Sequence, residues 1–524
     1  MSPIVNGENK ACLGATEPNT GLTTLKMRTM AVRQGDRHAV NGQNVWISTA
    51  QVAHKIMLLA RTTPLSEVTS RTQGRVRPDR QAFGPPNICL GFGDCFNVQL
   101  LVQYRIPQVM RYCPITTRTD MSMSLAIPET IQVQIHQQSD LPFPKLPDIP
   151  RRRYMDPDFF KQEMEAVFKR SWLAIAHVSE VPDVGSYLTL DLPFAPVLIV
   201  RGKDMQVRAF MNACRHRGAP VVREEKGCAQ ILVCQYHAWS YDLEGKLKGV
   251  PQKHDFCGLK NEEYPLQSIR CETWGGLIFL NFDQSAMPLS EWVAPFGDQY
   301  DHIVDSPLRL VSRRSYVIDC NWKIAVEAFW ETYHVTTIHR KTAATVIDSN
   351  NTHFVLHPHG HGTMVPPYRP DVLTSSEWKG TALRSTLKPI EGFDFNEGVV
   401  TPGLFPNGFV SFERAGFPLV VKWPLGLDKT RIDLIWYGRD WGGGEMPAEW
   451  HERVEAFHQL MLEDIENMAP MQKSVMADPD KGVPLCRQEA RLYQLHAQID
   501  NLIGRENIAA ELQVPDLLKD YLIG

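Results

Sequence analysis

Cys214-Arg215-His216-Arg217-Gly218 and Cys234-Gln235-Tyr236-His237-Ala238-Trp239, with seventeen residues between His216 and Cys234, are matched halves of one constellation. Each half, C-x-H or C-x-x-H, is short enough to be a single loop carrying one thiolate and one imidazole to a shared metal centre. A structural zinc site uses the same four residue types but usually pairs cysteine with cysteine and histidine with histidine. Mixed pairs suit a cluster in which two thiolates hold one iron and two imidazoles the other, which raises the reduction potential above that of an all-thiolate cluster. Short alternating runs surround the two loops: Tyr187 to Leu192, Val197 to Arg201, Val207 to Asn212, Ile231 to Cys234 and Leu277 to Phe282. They predict a small all-β unit.

Downstream, Asn321-Trp322-Lys323-Ile324-Ala325-Val326-Glu327-Ala328-Phe329-Trp330-Glu331-Thr332-Tyr333-His334 leads to His339. Helical spacing puts Glu327, Glu331 and His334 on one face. His339 then lies about 140° further round an ideal helix, so both histidines reach one metal only if the helix ends or bulges between them. Two imidazoles and one carboxylate with open positions opposite form the facial triad that holds Fe(II). The carboxylate has to come from elsewhere, and Glu463-Asp464-Ile465-Glu466 supplies three candidates. A further run, His353, His357, His359 and His361, contains Pro358 and Gly360. It reads as a polar strand edge or loop near a pocket mouth, without a metal.

The chain has 524 residues, 43% apolar and 22% charged, with a net charge of -4, so it can bury a large core and shows no basic footprint for nucleic acid. No apolar run is long enough to span a membrane, and the amino terminus lacks a secretory core, which predicts a cytoplasmic protein. Its eleven cysteines are scattered and suit a reducing compartment. Residues 1–143 form an extension rich in Thr, Gln, Asn and Pro; within it Asn41 to Ser48 and Ala53 to Thr63 resemble a strand segment of the acyl-CoA dehydrogenase middle domain. Thirty residues cannot build a flavin site, and the extension is expected to be poorly ordered, as a fusion remnant or a gene-prediction artefact. Residues 157–171 predict an amphipathic helix capped by Asp156. A Pro-containing linker, Met287 to Phe296, precedes strands from Gly408 to Tyr437 and closing helices around 447–471 and 487–503. Phe329, Trp330 and residues 408–422 are candidate pocket walls.

From about residue 150 to 520 the chain resembles the large (alpha) subunits of Rieske non-heme iron ring-hydroxylating oxygenases, in the two half-motifs, Trp274-Gly275-Gly276-Leu277, and the Glu-x3-Glu-x2-His-x4-His array. The resemblance implies an α+β protein: an all-β Rieske [2Fe-2S] domain with its preceding helix over 144–286, then a helix-grip (START-like) antiparallel-sheet catalytic domain over 287–524. It implies a cluster on Cys214, His216, Cys234 and His237, and a mononuclear Fe(II) on His334, His339 and Asp464. Glu331 stands where many members have aspartate, linking a cluster histidine to an iron histidine across a subunit boundary, and this leaves the substrate class open. Ala238 replaces the usual glycine, for which a small local adjustment is expected. The implied activity uses O2 to hydroxylate a small organic substrate, by dihydroxylation of an aromatic ring or alternatively by monooxygenation leading to N- or O-demethylation. A Rieske electron-transfer protein is the reading of another class. No G-x-G-x-x-G turn joins a strand to a helix, so electrons would come from a separate NAD(P)H-dependent reductase or ferredoxin. A homotrimer, with or without a small beta subunit, is the implied assembly.

Overall fold

The computed structural model describes residues 142–294, 296–374, 386–393 and 398–523, together with residue 131 and five short strands further upstream. Two compact units divide near residue 120. In the first, Ala11–Gly14, Lys55–Leu58 and Asn87–Leu90 pair in parallel, and Met30–Gln34 and Arg37–Asn41 form a hairpin. The rest of the extension, including most of the acyl-CoA-dehydrogenase-like stretch, lies outside the described residues.

The second unit is α+β, with two seven-stranded antiparallel sheets. The first comprises β1 (Leu173–His177), β2 (Ser186–Leu192), β3 (Ala195–Arg201), β4 (Val207–Met211), β5 (Lys226–Cys228), β9 (Ser268–Trp274) and β10 (Leu277–Asn281). Their order is β5-β2-β3-β4-β9-β10-β1. A three-stranded sheet of β6 (Leu232–Val233), β7 (Ser240–Tyr241) and β8 (Leu247–Gly249) stands apart from it. Alternation along the strands divides two cores. Val197, Ile199 and Ala209 enter the main core, whereas Leu198, Val200 and Phe210 face a second one containing Cys214, Cys234, Trp239 and Tyr241. The cysteine loops thus have a core of their own.

The second large sheet is made of β11 (Leu308–Ile318), β12 (His353–Leu356), β13 (Gly362–Val365), β14 (Thr401–Leu404), β15 (Gly408–Val410), β16 (Gly416–Gly426) and β17 (Lys429–Arg439), ordered β11-β17-β16-β15-β14-β13-β12. The helices are α1 (Pro157–Gln162), α2 (Gly297–Val304), α3 (Trp322–Glu327), α4 (Val335–Ile338), α5 (Glu449–Ala477) and α6 (Ala490–Ile503). The main core is continuous from β1 and β10 through to α5 and α6.

Four local expectations change. The helix expected over 157–171 is α1 followed by a π-helix at Glu163–Phe168; the wider turn accompanies a buried Glu163 that pairs with Lys323 and Trp322. The linker expected over 287–296 contains a short helix, Leu289–Trp292, and Leu289, Trp292 and Phe296 are buried against the core. The helix expected to carry Glu327, Glu331 and His334 on one face stops at Glu327, and a separate turn, α4, begins after His334. Finally, His357 and His361 are fully buried instead of lying at a polar edge. His357 bonds Ile523 O (2.7 Å) and Thr363 Oγ1 (3.1 Å), while His361 contacts Trp292 O (3.0 Å) and accepts from Phe405 N (3.1 Å). Both ring nitrogens of each are therefore engaged, as burial of a polar group demands.

Candidate metal centres

The two cysteine loops fold alike because the same backbone bonds close them. Cys214 N donates to Ala219 O and Gly218 N to Cys214 O; Cys234 N donates to Trp239 O and Ala238 N to Cys234 O. Each turn needs a positive φ four residues after its cysteine, met by Gly218 at +74° and by Ala238 at +55°. The expected adjustment at Ala238 is thus to take up a glycine-like backbone conformation.

Both cysteines are buried, and the imidazoles lie outward, His216 partly exposed and His237 exposed. The two Nδ1 atoms face one another at 3.1 Å, and His216 stacks on Trp239 at 5.0 Å. Convergent imidazole nitrogens beside two buried thiols fit a Rieske cluster. Burial pushes the Cys214 thiol up, so a free thiol here stays protonated, whereas a bound metal takes it as thiolate. Tyr241, which motif reading had missed, puts its hydroxyl 3.3 Å from Cys214 Sγ and accepts from Arg215 N (3.0 Å). With its oxygen accepting from the backbone, its proton is free to point at the sulfur. Its nearness to Trp239 in sequence was the available signal.

The second centre gathers three elements. His334 and His339 flank α4, and Asp464 projects from α5; one donor atom from each lies within 4.8 Å of the others. Asp464 Oδ1 is 2.9 Å from His339 Nε2 and 3.4 Å from His334 Nε2. On the far side of each ring stands a glutamate. Glu331 meets His334 Nδ1 and also accepts from His334 N (3.3 Å), while Glu463 accepts from His339 Nδ1 (2.7 Å) and Thr342 Oγ1 (2.6 Å). A carboxylate on Nδ1–H leaves Nε2 as the free lone pair and fixes the ring. Burial alone would lower His339, but Asp464 and Glu463 outweigh it and hold the imidazole above its ordinary value. Two imidazoles and a buried carboxylate converging in this way fit Fe(II) in a facial triad. Of the other acidic candidates, Glu463 sits behind His339 and Glu466 is exposed. Glu327 is away from this cluster, bonded to Tyr154 and His496.

The family model of the Rieske [2Fe-2S] domain matches residues 171–269, and that of the ring hydroxylating alpha subunit catalytic domain matches residues 306–505. The chain is 33% identical over 265 residues to the alpha subunit of 2-aminobenzenesulfonate 2,3-dioxygenase from Alcaligenes sp., covering 49% of this chain and 63% of that protein. It is 39% identical over 193 residues to the alpha subunit of biphenyl 2,3-dioxygenase from Rhodococcus jostii (strain RHA1), covering 36% and 42%. The chain therefore spans less than two thirds of the length of these curated relatives. Among solved structures it shares its fold with naphthalene 1,2-dioxygenase from Rhodococcus sp. (TM-score 0.58, 21% identity, 72% of this chain and 98% of that chain). A quaternary ammonium Rieske monooxygenase is likewise similar in fold (TM-score 0.58, 19% identity, 70% and 97%). Among the described residues no helix is long and apolar enough to cross a membrane.

Proposed function

Because the chain belongs to the Rieske-type ring-hydroxylating oxygenase alpha subunits, we propose that it is a terminal oxygenase component that uses O2 and external electrons to hydroxylate a small organic substrate. One observation carries this reading: the same chain holds both a buried-thiol, paired-imidazole site and a separate two-histidine, one-carboxylate site. An electron-transfer protein needs the first and has no use for the second. Cys214, Cys234, His216 and His237 would hold the [2Fe-2S] cluster, and His334, His339 and Asp464 the mononuclear Fe(II). When bound, these groups supply one-electron transfer and dioxygen activation.

The protein's own contribution is orientation and proton control. Glu331 and Glu463 keep a proton on the δ nitrogens of His334 and His339, and Thr342 steadies Glu463. The exposed His237 offers a cluster ligand at the surface, which suits delivery of an electron to Glu331 and His334 of a neighbouring subunit in a head-to-tail trimer. A separate NAD(P)H-dependent reductase or ferredoxin would supply that electron. Aromatic-ring dihydroxylation is the favoured outcome, since the curated relatives are named as arene dioxygenase subunits. N- or O-demethylation is the alternative, since glutamate at position 331 leaves the substrate class open.

Metal and sulfide analysis of anaerobically purified protein tests the proposal, with EPR spectra before and after dithionite. About three irons and two sulfides per chain, a reduced Rieske signal and substrate-dependent oxygen uptake are expected. Two irons after Fe(II) reconstitution would leave an electron carrier, and zinc without sulfide would overturn the reading.

A further inference from the structure

Two basic side chains are buried in the catalytic half with no carboxylate in ion-pair contact among the described residues. Arg491, in the first turn of α6, is 1% exposed, and its Nε, Nη1 and Nη2 have no hydrogen-bond partner among the described residues. Lys422, on β16, is fully buried, and its ammonium has one long bond, to Val420 O at 3.4 Å. Neither forms an ion pair among the described residues. What surrounds them is aromatic: the Arg491 guanidinium lies 5.2 Å from the Trp330 ring, and Lys422 Nζ lies 4.5 Å from Phe329 and 5.3 Å from Phe409.

This arrangement is unfavourable as it stands. Removing an ion from water costs several kcal/mol even after relaxation, and a cation over a ring recovers about 0.5–2 kcal/mol. The two cations also repel each other, and Arg491 opposes the positive end of its own helix. Burial lowers Lys422 well below its ordinary value and Arg491 to about 9, where the guanidinium is still charged at neutral pH. The fold nonetheless makes room for Arg491. A Cβ at Gly403 would clash with Nη2, and one at Gly362 would fall 3.0 Å from Nε.

Position ties the pair to the iron site. Phe329 and Trp330 immediately precede Glu331, and Asp464 acts electrostatically on Lys422. The missing element is a negative charge that arrives with a ligand. We propose that the substrate is an arene bearing an anionic group, a carboxylate or sulfonate, which Arg491 and Lys422 receive beside the Phe329, Trp330 and Phe409 rings. This rests on the oxygenase reading and narrows it from any small organic molecule to an aromatic acid. Arginine offers the planar fork that matches either oxyanion, and lysine adds a point charge.

Calorimetric titration of the purified holoprotein tests it, with benzoate, benzenesulfonate and the neutral nitrobenzene as probes. At least one anion should bind ten times more tightly than nitrobenzene, and the two anions against each other distinguish carboxylate from sulfonate. Arg491→Met should cost the anion tenfold or more, and cost it more than it costs nitrobenzene; Lys422→Met should act in the same direction. Equal binding of nitrobenzene and both anions, no binding of either anion, or an Arg491→Met protein that keeps its anion affinity would each overturn the proposal. The wild-type comparison decides even if a variant fails to fold. Binding does not require turnover, so failure of the oxygenase reading would appear separately, in the iron and sulfide content of the same preparation.

Discussion

At the scale of single residues, Ala238 shows what a family departure costs. An alanine held at φ +55° sits where glycine is unstrained, and the left-handed region costs a non-glycine residue roughly 1–2 kcal/mol. Ala238→Gly is expected to stabilise the cluster-bearing fold by about 1 kcal/mol, less the entropy that glycine loses on folding. Chemical denaturation of the holoprotein checks the sign, and a destabilised variant would show that the methyl group contributes packing. Glu327 carries a different prediction. Burial raises its carboxyl to about 8 from an ordinary 4.5, with Tyr154 and Lys323 opposing the rise. A group that keeps its proton to about pH 8 when folded, but loses it near 4.5 when unfolded, contributes fully below pH 4.5. That contribution drains away as the pH climbs toward 8. Glu327→Gln should flatten this part of the stability profile between pH 5 and 8, measured as melting temperature against pH. An unchanged slope would rule Glu327 out as its source.

Among the elements, the π-helix at Glu163–Phe168 and α3 are locked by an ion pair with both side chains fully buried, Lys323 Nζ lying 2.8 and 3.0 Å from the Glu163 oxygens. Removing one partner of such a pair leaves an uncompensated charge, at about 3–5 kcal/mol. Lys323→Met should destabilise by that much, and the added change Glu163→Gln should recover at least half, since glutamine still accepts from Trp322 Nε1. Equal instability of the single and double variants would mean that the ammonium matters for its packing and not its charge. Elements were legible where the pattern was clean: the strands expected from Gly408 to Tyr437 and the closing helix expected around 487–503 correspond to β15 to β17 and to α6. They were illegible where tertiary contacts intervened. Nothing local stops the helix at Glu327, since Ala328, Phe329 and Trp330 carry no breaker. Phe329 and Trp330 are both buried, and Trp330 Nε1 bonds Gly408 O (3.3 Å).

For the whole molecule, the proposed electron path runs from the outward imidazoles of the cluster loops to a neighbouring subunit. If it does, a cluster-deficient Cys214→Ser subunit and an iron-deficient His334→Ala subunit should each be inactive alone yet regain oxygen uptake when co-assembled. A mixture as inactive as its parents would confine transfer to one chain. The sequence by itself determined the α+β class and marked the residues of both candidate centres, because metal ligation restricts residue identity and spacing within a loop or a turn. It ranked Asp464 ahead of Glu463 by resemblance to a family pattern, without a physical reason. Only the tertiary structure turned Asp464 toward both histidines and put Glu463 behind one of them, because a carboxylate on α5 acquires its partner from an element more than a hundred residues away. The same holds for Arg491 and Lys422: Leu419, Val420, Val421 and Trp423 mark the strand around Lys422 as apolar, but that neither basic group has an ion-pair partner among the described residues is visible only in the folded chain.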